Sequence, residues 1–167
     1  DSLIPISFMV ERDDIQIEYG SGNNSEVKRN QEYTILSVRV LDTDVGDYVN
    51  TSYLDNATEV FTYVWNGSFW REEFEFYNET HYYLNFTPNC SYEAGKQKWK
   101  VNVTSAQYYK NATSEDFYVI IKGELNNTYL SPINQSFVVG SLITLEGEVY
   151  DECGMPISGA SVRFELR

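Results

Sequence analysis

The residues with the most chemistry on offer in this sequence are asparagines. Of 14, 11 open an N-x-S/T triplet without proline: Asn23, Asn50, Asn56, Asn66, Asn78, Asn85, Asn89, Asn102, Asn111, Asn126 and Asn134. In such a triplet the side-chain amide nitrogen is the acceptor for an N-linked oligosaccharide, and with Ser and Thr at roughly one residue in six, chance would supply about two. The excess predicts N-glycosylation and therefore export. A polar β-protein that is merely rich in Asn and Thr is the competing reading.

The carboxylates offer less. Asp42, Asp44 and Asp47 in DTDVGD have the short spacing that can hold Ca²⁺, but the ligand spacing and bidentate Glu of an EF-hand are missing, and a solvated turn is the better explanation of them. No other cofactor is expected. Glu72, Glu73 and Glu75 form a run from which a glycosidase pair can be drawn, yet alternation along a strand puts Glu73 and Glu75 on the wet side opposite Phe74 and Phe76. There is one histidine, His81, on the outward face of a predicted strand, so neither a nucleophile–His arrangement nor a two-His metal site is available. The chain is read as a non-enzyme. Trp65, Trp70, Tyr108 and Tyr109 are residue types that stack on sugars, which would suit an adhesin or a carbohydrate-binding module; core packing is their competing use.

A net charge of −13, with 12 basic residues scattered along the chain, argues against a nucleic-acid partner, because phosphate contact needs clustered Lys and Arg. No apolar run approaches the ~18 residues that would cross a bilayer as a helix. The N-terminal DSLIPISFMV has neither a basic region nor a small-residue cleavage site, so the sequence reads as a mature or internal piece.

These side chains must be positioned by strands. Tyr82 to Val103 reads as strand, loop, strand: Tyr82, Leu84 and Phe86 alternate with Tyr83 and Asn85, and Trp99, Val101 and Val103 alternate with Lys98, Lys100 and Asn102. The polar members, Asn85 and Asn102 among them, should face water. Before them, Ile15, Ile17 and Tyr19 mark a first strand and Gly20–Asn30 a turn or loop by composition. Leu36, Val38 and Val40 mark a second strand, Thr58–Trp65 a third and Phe69–Tyr77 a fourth, with the hairpin dipeptide Asn66-Gly67 between the last two. Either Val60, Thr62 and Val64 or Phe61, Tyr63 and Trp65 face inward on the third strand; alternation alone does not choose. His81–Thr87 is the fifth, Lys98–Ala106 the sixth, and Phe117, Val119 and Ile121 the seventh. Seven short strands without a helical period predict an all-β, immunoglobulin-like sandwich.

From Gly123 the opening pattern returns at an offset of 109: Phe8 and Val10 match Phe117 and Val119, Leu36 matches Leu145, Val40 matches Val149, and Asp42 matches Asp151. A period of about 110 residues is one sandwich module. The expected organisation is the last strand of a preceding module in 1–12, a complete Ig-like sandwich in 13–122, and the first three strands of a following module in 123–167. The truncated module leaves one face of its core uncovered, to be completed by a longer protein or by another chain.

The segment DECGMPISGASVRFEL resembles the D-x-x-G-x-P-[IV]-x-G-A-x-V-x-F pattern of bacterial Ig-like and carboxypeptidase-regulatory-like domains on cell surfaces. At the scale of the module, including FTPNCSYEAGKQKW and SPINQSFVVG, the chain is similar to tandem Ig-like repeats of large archaeal cell-surface glycoproteins of S-layer or surface-filament type. The resemblance implies an exported, glycosylated structural polymer that assembles with copies of itself at the cell surface.

Ig-like topology also bears on the two cysteines. The loop between strands five and six, which carries Cys90, lies at the pole where the chain leaves a module; the loop between strands two and three, which carries Cys153 one module later, lies at the pole where it arrives. A Cys90–Cys153 disulfide that stiffens the joint is therefore expected in an oxidising exterior, with intermolecular bridges or unpaired thiols as the alternatives.

Overall fold

The computed structural model describes residues 11–54, 59–73, 76–78, 81–104 and 106–165, and the structural statements that follow concern these. The run Ser7–Val10, Asn56 and Glu75 lie outside them. The chain divides between Ile121 and Lys122 into two units. Among the described residues there is no α-helix, only one 3₁₀ turn at Thr51–Tyr53, and the fold is all-β.

The first unit is built of two sheets. One contains β1 (Ile15–Ser21), β3 (Thr34–Asp42), β8 (Tyr82–Phe86) and β7 (Phe76–Tyr77) in that order, with β4 (Asp47–Tyr48) paired to β3. The other runs β2 (Ser25–Lys28), β11 (Phe117–Lys122), β9 (Gly95–Val103), β5 (Val60–Trp65), β6 (Trp70–Glu73), with β10 (Ala112–Thr113) paired to β9. Inward residues of both sheets share one core: Leu36, Val38, Val40, Tyr82, Leu84 and Phe86 from the first, Val60, Val64, Trp99, Val101, Val103, Phe117, Val119 and Ile121 from the second. Trp99 is at its centre, fully buried, 4.7 Å from the Phe117 ring and donating from Nε1 to the Tyr118 carbonyl at 3.3 Å. Each such large side chain contributes about 1.5–3 kcal/mol on burial, which is how two sheets with one wet face each hold together.

Two expectations are corrected, and one choice that alternation left open is decided. Gly20–Asn30 is not all loop: Ser25–Lys28 forms β2, which joins the second sheet and buries Val27 completely. One apolar residue among polar neighbours leaves no period for pattern reading to find. The crossing from β1 to β2 is made at Gly22, whose φ of +96° and the 2.5 Å that would separate a Cβ from the Ile35 carbonyl both exclude a side chain. The fourth strand is two strands in different sheets, β6 and β7, so Glu73, registered against inward Thr62, is half-buried and not on the wet side. Glu72, registered against Tyr63, is the exposed one. On β5 the inward set is Val60, Thr62 and Val64, and Phe61, Tyr63 and Trp65 stand half-buried on the outer face.

The second unit contains the antiparallel pair β12 (Leu125–Ser131) and β13 (Glu146–Asp151). Its pairing repeats that of β1 with β3. In the first, Ile15 faces Asp42 and Tyr19 faces Val38, with a bulge before Ser21 opposite Ser37; in the second, Leu125 faces Asp151 and Tyr129 faces Gly147, with a bulge before Ser131 opposite Glu146. The following turn is capped in the same way: Asp42 Oδ1 accepts from the amides of Asp44 (3.0 Å) and Val45 (3.1 Å), and Asp151 Oδ1 from those of Cys153 (3.0 Å) and Met155 (2.8 Å). Burial differs. Leu36 and Val40 are 1% exposed, whereas their counterparts Leu145 and Val149 are only half-buried and Ile157, Val162 and Phe164 are exposed.

Candidate functional site

Strand alternation decides where the sequon asparagines that lie on strands point. Asn85 lies between inward Leu84 and Phe86 on β8 and is exposed; Asn102 lies between inward Val101 and Val103 on β9 and is half-buried, its Oδ1 without a hydrogen-bond partner. Asn23, Asn50, Asn78, Asn89, Asn111, Asn126 and Asn134 are exposed. Asn56 lies outside the described residues.

Several of these asparagines also organise turns. Asn50 Oδ1 accepts from the Ser52 amide at 3.0 Å, Asn89 Oδ1 from the Ser91 amide at 2.8 Å, and Asn78 Oδ1 from the His81 amide at 2.9 Å. Asn23 Oδ1 accepts from the Tyr118 amide at 3.0 Å. The two roles are compatible, because the turn uses the carbonyl oxygen and an oligosaccharide attaches to the amide nitrogen.

Asn66 differs. It is 6% exposed at the β5–β6 hairpin, where its Oδ1 accepts from the amides of Ser68 and Phe69, both at 2.9 Å. Its own amide donates to the Phe69 carbonyl and its carbonyl accepts from the Glu93 amide. The hairpin loop therefore spans Asn66–Phe69, closed by Trp65 opposite Trp70. The Asn-Gly dipeptide was the available sign, since Asn precedes Gly where its side chain folds back on the turn.

Cys90 and Cys153 form one disulfide-bonded pair. Cys90 is in the connection between β8 and β9, where Asn30 Nδ2 donates to its Sγ at 3.1 Å, and Cys153 is in the Asp151-capped turn.

The aspartates of the Ca²⁺ expectation serve separate backbone amides. Asp42 caps its own turn, Asp44 Oδ2 accepts from the Asp14 amide at 3.0 Å, and Asp47 Oδ1 accepts from the Tyr48 amide at 2.8 Å. Among the described residues, no three His, Cys, Asp or Glu side chains converge as metal ligands. Tyr109 packs beside this region, its phenol held above its ordinary pKa by burial and by the Asp42 and Asp13 carboxylates.

Glu72 accepts from the Tyr63 hydroxyl at 3.2 Å and Glu73 from the Tyr92 hydroxyl. Burial, and then the bond to Glu73, push the Tyr92 phenol well above the usual tyrosine range. His81 is half-buried just ahead of β8. Of the four aromatics singled out for sugar stacking, Trp65 and Trp70 come together on the outer face, edge to face at 5.6 Å, while Tyr108 is exposed elsewhere and Tyr109 is buried.

No helix among the described residues is long and apolar enough to cross a membrane. Compared with protein-family models and with curated proteins, the chain matches none.

Proposed function

We propose that this chain is a structural segment of an extracellular, heavily N-glycosylated surface assembly, of S-layer, sheath or filament type, built from Ig-like modules in tandem and self-associating at the cell surface. The observation that carries the reading is the pairing repeated between β1/β3 and β12/β13, with the same bulge and the same aspartate-capped turn. A duplicated strand pair at a period of about 110 residues is what an array of sandwich modules requires. Support for the Ig-like assignment is the strand order, β1-β3-β8-β7 against β11-β9-β5, which follows the two-sheet division of an Ig domain. Exposed sequon asparagines supply the sugar coat that keeps so many strand edges from pairing indiscriminately.

The uncovered apolar residues of the second unit fit this reading, because the counterparts of β5, β9 and β11 that would cover them belong to the rest of a module. Electron micrographs of native material, with glycopeptide mapping of the same preparation, test the proposal. Ordered polymer carrying sugar at several of the exposed asparagines is expected; isolated, unglycosylated monomer would overturn it.

A second reading, an adhesin or carbohydrate-binding module, is favoured by the half-exposed Trp65–Trp70 pair.

A further inference from the structure

The outer face of the second sheet gathers aromatic and basic side chains in a chain that is otherwise strongly acidic. Because Gln97, Trp99 and Val101 of β9 point inward, Lys96, Lys98 and Lys100 all stand on the outer face, so that three of the 12 basic residues share one side of one strand. Trp65 of β5 and Trp70 of β6 face each other across the hairpin on one flank, and Tyr118 of β11 stands opposite Lys98 on the other. All three rings are half-buried. They bound an open cleft of about 560 Å³, within the ~300–1,000 Å³ of small-molecule sites. One end is left open by Gly67, whose φ of +111° disfavours any side chain and whose missing Cβ would fall 2.3 Å from Glu93 Cδ.

The lysines are placed on the rings. Lys96 Nζ lies 4.0 Å from the centre of the Tyr118 ring and Lys100 Nζ 4.5 Å from that of Trp70, while Lys98 Nζ pairs with Asp116 at 2.7 Å. A pyranose offers a ring face of weakly electropositive C–H groups that suits the electron-rich face of an indole or phenol, and a rim of hydroxyls that suits the Glu93 carboxylate. A neutral sugar would have to displace the ammonium groups from the rings and would give them nothing in return. An anionic sugar draws each ammonium into an ion pair at the edge of the same ring it stacks on, so displacement becomes part of binding.

Resting on the carbohydrate-binding reading, we propose that this cleft binds an acidic saccharide, uronate-bearing or sulfated, with Trp65, Trp70 and Tyr118 as the stacking platform and with Lys96, which lines it, and Lys100, which lies over the Trp70 ring outside the lining, as the anion partners. The saccharide comes either from an N-glycan on a second copy of this chain or from an external acidic polysaccharide.

The test titrates the full chain with trigalacturonate, with neutral galactotriose, and with N-glycans released from the native protein, reading tryptophan fluorescence and heat at 20 and 300 mM NaCl. Expected is saturable binding of trigalacturonate, at least tenfold tighter than galactotriose, weakened several-fold by the higher salt. Trp70→Ala should weaken it at least tenfold and Lys96→Gln with Lys100→Gln at least fivefold, the lysine variants leaving galactotriose binding unchanged. Near-UV circular dichroism shows whether Trp70→Ala keeps its fold; if it does not, the lysine variants, both at outward positions, decide. Equal binding of neutral and acidic sugars, with no effect of the lysine variants, overturns the acidic site and leaves the carbohydrate-binding reading standing. No binding of any of the three sugars overturns both, as does self-association through this face without sugar binding. Released glycans competing better than trigalacturonate would assign the source to the protein's own coat, and the reverse order to an external polysaccharide.

Discussion

Asn66 sits in an N-x-S/T triplet like ten other asparagines, yet the fold uses it as a buried hairpin cap, and the two uses are separable by mutation. Its Oδ1 receives two backbone amides at 2.9 Å, each worth ~1 kcal/mol net, so Asn66→Ala should cost about 2 kcal/mol. The full penalty of burying unpaired donors does not apply, because Ser68 and Phe69 are exposed and water can reach their amides. Ser68→Ala destroys the same triplet and leaves the cap in place, so it should stay within ~0.5 kcal/mol of the parent. Neither substitution should change the glycan mass, because an oligosaccharide on Nδ2 would have to leave a side chain that is 6% exposed. Asn85→Gln supplies the contrast: one glycan lost, stability unchanged within the same ~0.5 kcal/mol, since Asn85 is exposed and outward. Denaturant unfolding and intact-mass measurement of the native glycoprotein read all three. A glycan at Asn66 that disappears in Ser68→Ala, or an Asn66→Ala variant as stable as the parent, would refute the reasoning.

Alkaline pH should expose Tyr92. The folded state holds its phenol neutral above the ordinary value of 10.0, so its contribution is intact below that pH and is lost as pH rises and the unfolded chain releases the proton first, at up to 1.36 kcal/mol per unit. Tyr92→Phe, measured by guanidinium unfolding between pH 8 and 11, should lose stability less steeply than the parent and be weaker at pH 8 by about 1.5–3 kcal/mol, the worth of its bond to Glu73. Non-reducing peptide mapping should recover one peptide joining Cys90 to Cys153, and Cys90→Ser with Cys153→Ser should lower stability by up to about 4 kcal/mol, the chain-entropy value for a loop of about 63 residues. Asp42→Ala should lower the thermal midpoint by removing the cap on two amides, ~1 kcal/mol each, and should do so identically with 5 mM Ca²⁺ or with a chelator present; a Ca²⁺-dependent difference would restore the aspartates as ligands.

Much of the first unit was legible from alternation because a strand with one face in a core repeats every second residue. Leu36, Val38 and Val40, then Tyr82, Leu84 and Phe86, then Trp99, Val101 and Val103, and finally Phe117, Val119 and Ile121 are inward as their spacing requires, and Asn85 is exposed for the same reason. The paired cysteines were also readable, although through the poles of an Ig-like sandwich and not from their spacing. Where a strand carries a single apolar residue, as around Val27, or where apolar side chains occupy both faces, as on β5, alternation has nothing to distinguish.

By itself, then, the sequence determined the all-β class, the positions of the longer strands and the count of possible glycan acceptors, because each is a property of neighbouring residues along the chain. Only the tertiary structure decided which face of β5 is wet, that the chain changes sheets between Glu73 and Phe76, that Asn66 is spent on a turn, and that three lysines and three aromatic rings share one face. Those outcomes depend on which strands are brought side by side, and pairing of β9 with β5 and β11 joins residues up to 43 positions apart, Val60 with Val103, a distance over which local pattern carries no information.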